Sequence, residues 1–178
     1  HQSQTAWGNA LSRIHVHGWT SDKQRRTYYS ALYHTLTAPY IHNDVDGRLH
    51  GPDSKIHQVD FPYYTFLSTW DTFRAWSTVI RLVQPGVLAH IARTAAFHYT
   101  LMGIMPRWTV AGLDIGMMPG VHSMTLAFQA WRWGLLDTTQ SRQVYDAMVG
   151  TMMSRGKYKE GHLDAFVDND GIIPCDGP

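Results

Sequence analysis

The residues best equipped for chemistry are concentrated in Tyr63-Tyr64-Thr65-Phe66-Leu67-Ser68-Thr69-Trp70-Asp71-Thr72-Phe73-Arg74-Ala75. Asp71 and Arg74 are three apart, so on a helix they share one face. Trp70 precedes them at the expected helix start. A carboxylate can accept hydrogen bonds from adjacent sugar hydroxyls, and a guanidinium can donate to them through its fork. An indole can cover the apolar face of a sugar ring. The three residues therefore fit a carbohydrate subsite. They also fit a plainer arrangement: an Asp favoured by the helix dipole, a surface ion pair and a core Trp.

A second group runs from Gly112-Leu113-Asp114 to Met118-Pro119-Gly120-Val121-His122. It is a Gly-rich loop that enters a helix and carries one carboxylate and one imidazole. Helix starts of this kind can orient a polar ligand, although a single His there also serves as a structural residue. The remaining candidates are thinner. His15 and His17 alternate and could pair on a metal, but no third ligand is near in sequence. Asp44-Val45-Asp46-Gly47 and Asp168-Asn169-Asp170-Gly171 lack the ligand spacing and closing Glu of a calcium loop and read as turns. There is no phosphate loop, nucleophile elbow or two-His zinc helix.

The elements that must position these residues are mainly helical. Apolar spacing predicts helices from about Thr5 to Val16 and, after the Thr20-Ser21-Asp22 cap cluster, to about Thr37. Residues 39 to 68 are irregular, with a small hairpin turning at Asn43 to Gly47. Helices are then predicted from about Ser68 to Val83, from Pro85 to about residue 102, from about Pro119 to Trp133 and from about Thr138 to Ser154. The segment at Met105-Pro106-Arg107-Trp108 reads as loop. Six helices in antiparallel pairs make about half of a closed twelve-helix barrel, and half a barrel leaves apolar edges uncovered.

Composition narrows the class. With 178 residues, the chain has one domain's worth of length at roughly 150 residues per domain. Lys+Arg number 15 against 14 Asp+Glu, with no long basic run, so a nucleic-acid footprint is not indicated. No stretch reaches the roughly 18 apolar residues of a membrane span. The single Cys175 rules out an internal disulfide framework and a multi-cysteine zinc site. Charged residues are 16%, against about 25% in a typical domain, which suggests a surface covered by something outside this chain. The chain starts at His1 without a signal-peptide pattern and stops in a turn-like segment. It is therefore expected to be a piece of a longer protein.

At these motifs the sequence resembles glycoside hydrolase family 92, the calcium-dependent exo-acting α-mannosidases. Tyr28-Tyr29-Ser30-Ala31-Leu32-Tyr33-His34-Thr35 is similar to the family's "FYTALYHT" segment, and Trp7 with Leu11 to Ile14 to its opening helix. Asp44-Val45-Asp46-Gly47-Arg48 and Gly51-Pro52-Asp53 resemble its "DVDGRYRGMD" loop. Trp70-Asp71-Thr72-Phe73-Arg74-Ala75 matches its "WDTFRA" signature. Pro85, Met105 to Trp108, Met118 to His122 and Gly171 to Pro174 follow in the family's order.

The resemblance implies a β-sandwich domain followed by an (α/α)6 barrel, with residues 1–178 as the N-terminal half of that barrel. It implies removal of terminal α-linked mannose from glycans with inversion. Calcium helps to bind and distort the sugar. Asp71 then lies in the subsite where the bond breaks, Trp70 and Arg74 shape the pocket, and His122 is carried over with the second group. The family's acid and base come from a "TEGNAWQY"-like and a "GNDDxGQMSAW"-like segment, and neither occurs here. No catalytic residue is therefore expected within this chain, and the main calcium ligands are expected outside it. The implied partners are a mannose-containing glycan and the remainder of the same polypeptide. The implied location is secreted or periplasmic. Trp76-Ser77-Thr78, Asp114 and Gln129-Ala130-Trp131 depart from the family pattern, which marks a divergent member and leaves open cleavage of a different glycoside. The alternative is a non-catalytic carbohydrate-binding or scaffold protein of the same fold.

Overall fold

The computed structural model describes residues 2–118 and 120–154. The Asp168 to Gly171 turn, the Gly171 to Pro174 motif, Cys175 and the expected helix start at Pro119 lie outside the described residues. Seven helices occur among those described: α1 (Gln2–Leu11), α2 (Asp22–Thr35), α3 (Thr69–Thr72), α4 (Ala75–Val83), α5 (Pro85–Met102), α6 (His122–Arg132) and α7 (Thr138–Met152). Seven short strands accompany them: β1 (Tyr40–Ile41), β2 (Arg48–His50), β3 (Ile56–Gln58), β4 (Tyr64–Thr65), β5 (Leu67–Ser68), β6 (Trp108–Val110) and β7 (Leu113–Asp114). The chain is mainly α, as its periodicity predicts.

Helix α5 is the hub. Pro85 starts it, and Gly103 ends it in the left-handed region at φ 73°. It is buried on more than one side, through Leu88, Ala92 and Ala95 and through Ile91, Thr94 and His98. Its small residues let the neighbouring helices approach closely. Ala127 and Ala130 of α6 and Ala147 of α7 share its core with Leu126 and Val144. A Cβ on Gly150 would run into the Tyr99 hydroxyl, so α7 also needs a glycine where it passes α5. Helix α7 starts with a full capping box, in which the Asp137 side chain accepts from Gln140 N and Gln140 accepts from Asp137 N. Helices α1 and α2 are held more lightly. Leu32 is the one buried residue of α2, and Trp7 meets Tyr33 at a ring-centroid distance of 4.5 Å.

Three expectations change. The helix predicted from about Ser68 to Val83 is two helices, with Arg74 at φ −90°, ψ −95° between them. Side chains take over the carbonyls there. The Ser77 hydroxyl donates to the Phe73 and Arg74 carbonyls at 2.9 and 3.0 Å, and Gln129 Nε2 donates to the Phe73 carbonyl at 3.0 Å. The hairpin predicted around Asn43 to Gly47 turns later. That segment is a turn, with Gly47 N donating to the Asp44 carbonyl at 2.9 Å, but β1 beyond it pairs with β4. The antiparallel hairpin is β2 with β3, joined by residues 51–55. The segment read as loop after Met105 contains a second hairpin, β6 with β7, turning at Ala111 and Gly112 with φ 48° and 82°. Consecutive positive φ values mark the tight turn whose twist suits a hairpin. Alanine in the first of those positions gives little warning of it.

His98 on α5 is 1% exposed. Its Nδ1–H donates to the Ile104 carbonyl at 3.0 Å, and Nε2 is buried without a partner. Burial holds its pKa below the ordinary histidine value. The folded protein therefore resists protonating it, whereas the unfolded chain takes up the proton at about pH 6.5. Stability is full above that pH and is lost as pH falls below it. The thermal midpoint is expected to drop between about pH 7 and pH 5. His98→Asn, which keeps a donor for Ile104, should flatten that drop. An unchanged slope in the variant would assign the pH dependence to other groups.

Candidate functional site

The Trp70 and Asp71 side chains are presented by α3, a single turn fed by β5. Ser68 ends β5, and its hydroxyl donates to Asp71 Oδ2 at 2.5 Å. Thr69, 1% exposed, anchors the turn from beneath, with both its N–H and its hydroxyl donating to the Arg107 carbonyl. Thr72 Oγ1 closes the turn by donating to the Ser68 carbonyl at 2.7 Å. Asp71 is left exposed and Trp70 is 43% exposed. An indole and a carboxylate thus both reach solvent from this one turn.

Arg74 does not pair with Asp71 among the described residues. The break after α3 turns it toward Phe73, and its guanidinium lies 4.9 Å from that ring. His122, the first residue of α6, stacks on the same Phe73 ring, with centroids 4.2 Å apart and planes 7° from parallel. Gly120, at φ 76°, passes so close that a Cβ would sit 3.2 Å from His122 Nε2. Partial burial and, secondarily, the Arg74 charge hold the His122 pKa below its ordinary value. At neutral pH the imidazole is therefore uncharged, with one nitrogen to donate and one to accept.

The structure thus joins the two groups of residues that stand out in the sequence. The sheet β5-β6-β7 does so through the backbone, with Ser68 opposite Trp108 and Thr109 opposite Asp114. The Phe73–His122 stack does so through side chains. Sequence spacing gives Phe73 no role, although it is the surface on which Arg74 and His122 both rest. Arg107 and Asp114 are also central to the arrangement. Asp114 Oδ2 accepts from Arg107 N at 2.9 Å, and Oδ1 accepts from Gly116 N at 3.0 Å and Trp108 N at 3.3 Å. Asp114 is the carboxylate of the second group, whereas the signal for Arg107 is the Met105 to Trp108 motif.

Other candidates fall away from this face. A cavity of about 1020 Å³ lies between the Asn43 to Gly47 turn and α5, and Asp60 pairs with Arg93 there at 2.7 Å. None of Trp70, Asp71, Arg74 and His122 lines it. His15 and His17 are exposed, and no group of three or more His, Cys, Asp or Glu side chains suited to a metal occurs among the described residues. Calcium takes six to eight oxygen ligands. Asp71 and Ser68 by themselves supply only part of such a set. No described helix is long and apolar enough to cross a membrane.

Comparison with known proteins decides the family. The model of the glycosyl hydrolase family 92 catalytic domain matches residues 1–177. The chain belongs to glycoside hydrolase family 92. Three solved structures of family 92 mannosidases are similar to it. An α-mannosidase from Bacteroides thetaiotaomicron has 26% identity and a TM-score of 0.83, covering 93% of this chain and 22% of its own. Its complex with mannoimidazole has 27% identity and a TM-score of 0.82, with 93% and 21% covered. An inverting mannosidase from Bacteroides thetaiotaomicron VPI-5482 has 27% identity and a TM-score of 0.84, with 98% and 24% covered. This family 92 chain therefore spans between a fifth and a quarter of the length of those relatives. No match is found among curated proteins.

Proposed function

We propose that this family 92 chain is the sugar-contacting first half of an (α/α)6 barrel in a calcium-dependent, inverting α-mannosidase. The observation that carries the reading is that Arg74 and His122 both rest on Phe73, two residues after the exposed Asp71. Asp71 would accept hydrogen bonds from adjacent hydroxyls of a terminal mannose. Arg74 and the neutral His122 would supply donors, and Trp70 would cover the C–H face of the ring. Mannoimidazole in a solved relative makes a mannose-like ring the ligand to expect.

The proposal assigns binding and distortion of the sugar to this chain, and proton transfer to the rest of the protein. Inverting hydrolysis needs a carboxylic acid for the leaving oxygen and a carboxylate for a water on the opposite face. Segments of the family's acid and base type are absent from these 178 residues. The calcium ligands are placed outside the chain as well. A glycan substrate fits a secreted or periplasmic location. The uncovered apolar side of α6 and α7, with Phe128, Trp131, Val149 and Met152 exposed, suits the rest of a barrel.

The test is incubation of the complete protein with terminal α-mannosides, with and without a calcium chelator. Mannose release that is lost on chelation and restored by calcium is expected. Sugar binding without release would favour a non-catalytic carbohydrate-binding protein. Release from a different α-glycoside alone would move the substrate assignment.

A further inference from the structure

Arg107 touches both walls of the proposed subsite. Its carbonyl accepts from the N–H and hydroxyl of Thr69, two residues before Asp71. Its guanidinium donates to the Gly116 carbonyl at 2.9 Å and the Met118 carbonyl at 3.3 Å, in the loop that leads to His122. Its own N–H is held by Asp114. That loop needs holding. Gly116, Met118 and Gly120 have φ of 66°, 69° and 76°, and for Met118 this is the left-handed region that a side-chain-bearing residue rarely adopts. Such a conformation persists only where its surroundings over-determine it.

We propose that Arg107, braced by Asp114, is a positioning residue that sets where His122 stands relative to Asp71. It acts by holding the Gly116 and Met118 carbonyls rather than by contact with the sugar. The planar fork reaches two carbonyls at once, which a lysine's single ammonium on a flexible stem does not reproduce. The inference rests on the sugar-binding reading above, but its physical core, the placement of His122, is measurable without any sugar.

The experiment uses the complete protein and its Arg107→Lys and Asp114→Asn variants. The rate of His122 modification by diethyl pyrocarbonate is followed by peptide mass mapping. Exposed His15 serves as the reference for reagent, and buried His98 as the reporter of unfolding. In both variants His122 should react several-fold faster, with His15 and His98 unchanged. In parallel, kcat/KM on an α-mannoside should fall by about 10- to 100-fold, the scale of a misplaced binding group. An unchanged His122 rate overturns the inference. So does a His98 rate that rises with that of His122 in both variants, because Arg107 then supports the fold at large. If the wild-type protein releases no mannose, the functional reading fails while the His122 rates still decide the role of Arg107.

Discussion

Asp71→Ala in the complete protein is expected to lower kcat/KM for α-mannosides by about 10²- to 10⁴-fold. A charge-assisted hydrogen bond contributes roughly 1.5–3 kcal/mol, and a carboxylate gripping adjacent hydroxyls makes two of them. Each 1.4 kcal/mol or so is tenfold in rate. The fold should hardly notice. Asp71 is exposed, its described partner is the Ser68 hydroxyl, and α3 is held by Thr69 and Thr72 instead. An exposed carboxylate at a helix start contributes at most about 1 kcal/mol. Asp71→Asn keeps the shape and one acceptor, so its loss should be smaller than that of the alanine variant. Steady-state kinetics with thermal midpoints for both variants checks this. An unchanged kcat/KM would remove Asp71 from the subsite, and a collapsed midpoint would make it a structural residue.

The second large effect concerns residues 1–178 expressed alone. They are expected to release no mannose and to self-associate. Properly placed acid and base groups each contribute about 10²- to 10⁴-fold, and the chain has no segment of the family's type for either. Self-association follows from the surface. Trp131, Trp133, Phe128, Val149, Met152 and Met153 are all exposed along α6, α7 and their ends. Met124, Phe128, Met148 and Val149 line a shallow groove between the two helices. The net charge of +1 gives little repulsion to keep copies apart. Light scattering after gel filtration and a sensitive mannose assay test both parts. A monodisperse chain that hydrolyses a mannoside would refute them together.

Much of the helical frame was legible because its signals are local. Pro85 and Gly103 bracket α5, Ser21 caps α2 by accepting from Gln24 N, and Asp137 with Gln140 opens α7. Trp70 and Asp71 were legible as a pair for the same reason, since one turn holds both. The break at Arg74 was not. It depends on Ser77 and on Gln129, which lies 56 residues from Phe73. Nor was the contact of Phe73 with His122, which no spacing rule joins. The hairpin at Trp108 to Asp114 was hidden by Ala111 in a conformation that usually selects Asn or Gly. What the sequence concealed is therefore the long-range geometry that brings the two candidate groups together through the β5-β6-β7 sheet and the Phe73–His122 stack.

Release of mannose with inversion is read out by proton NMR of the complete protein acting on an α-mannoside. β-Mannose should appear first and the α anomer only later, as the free sugar equilibrates in solution. First appearance of α-mannose would contradict inversion, and no release of mannose at all would contradict the function.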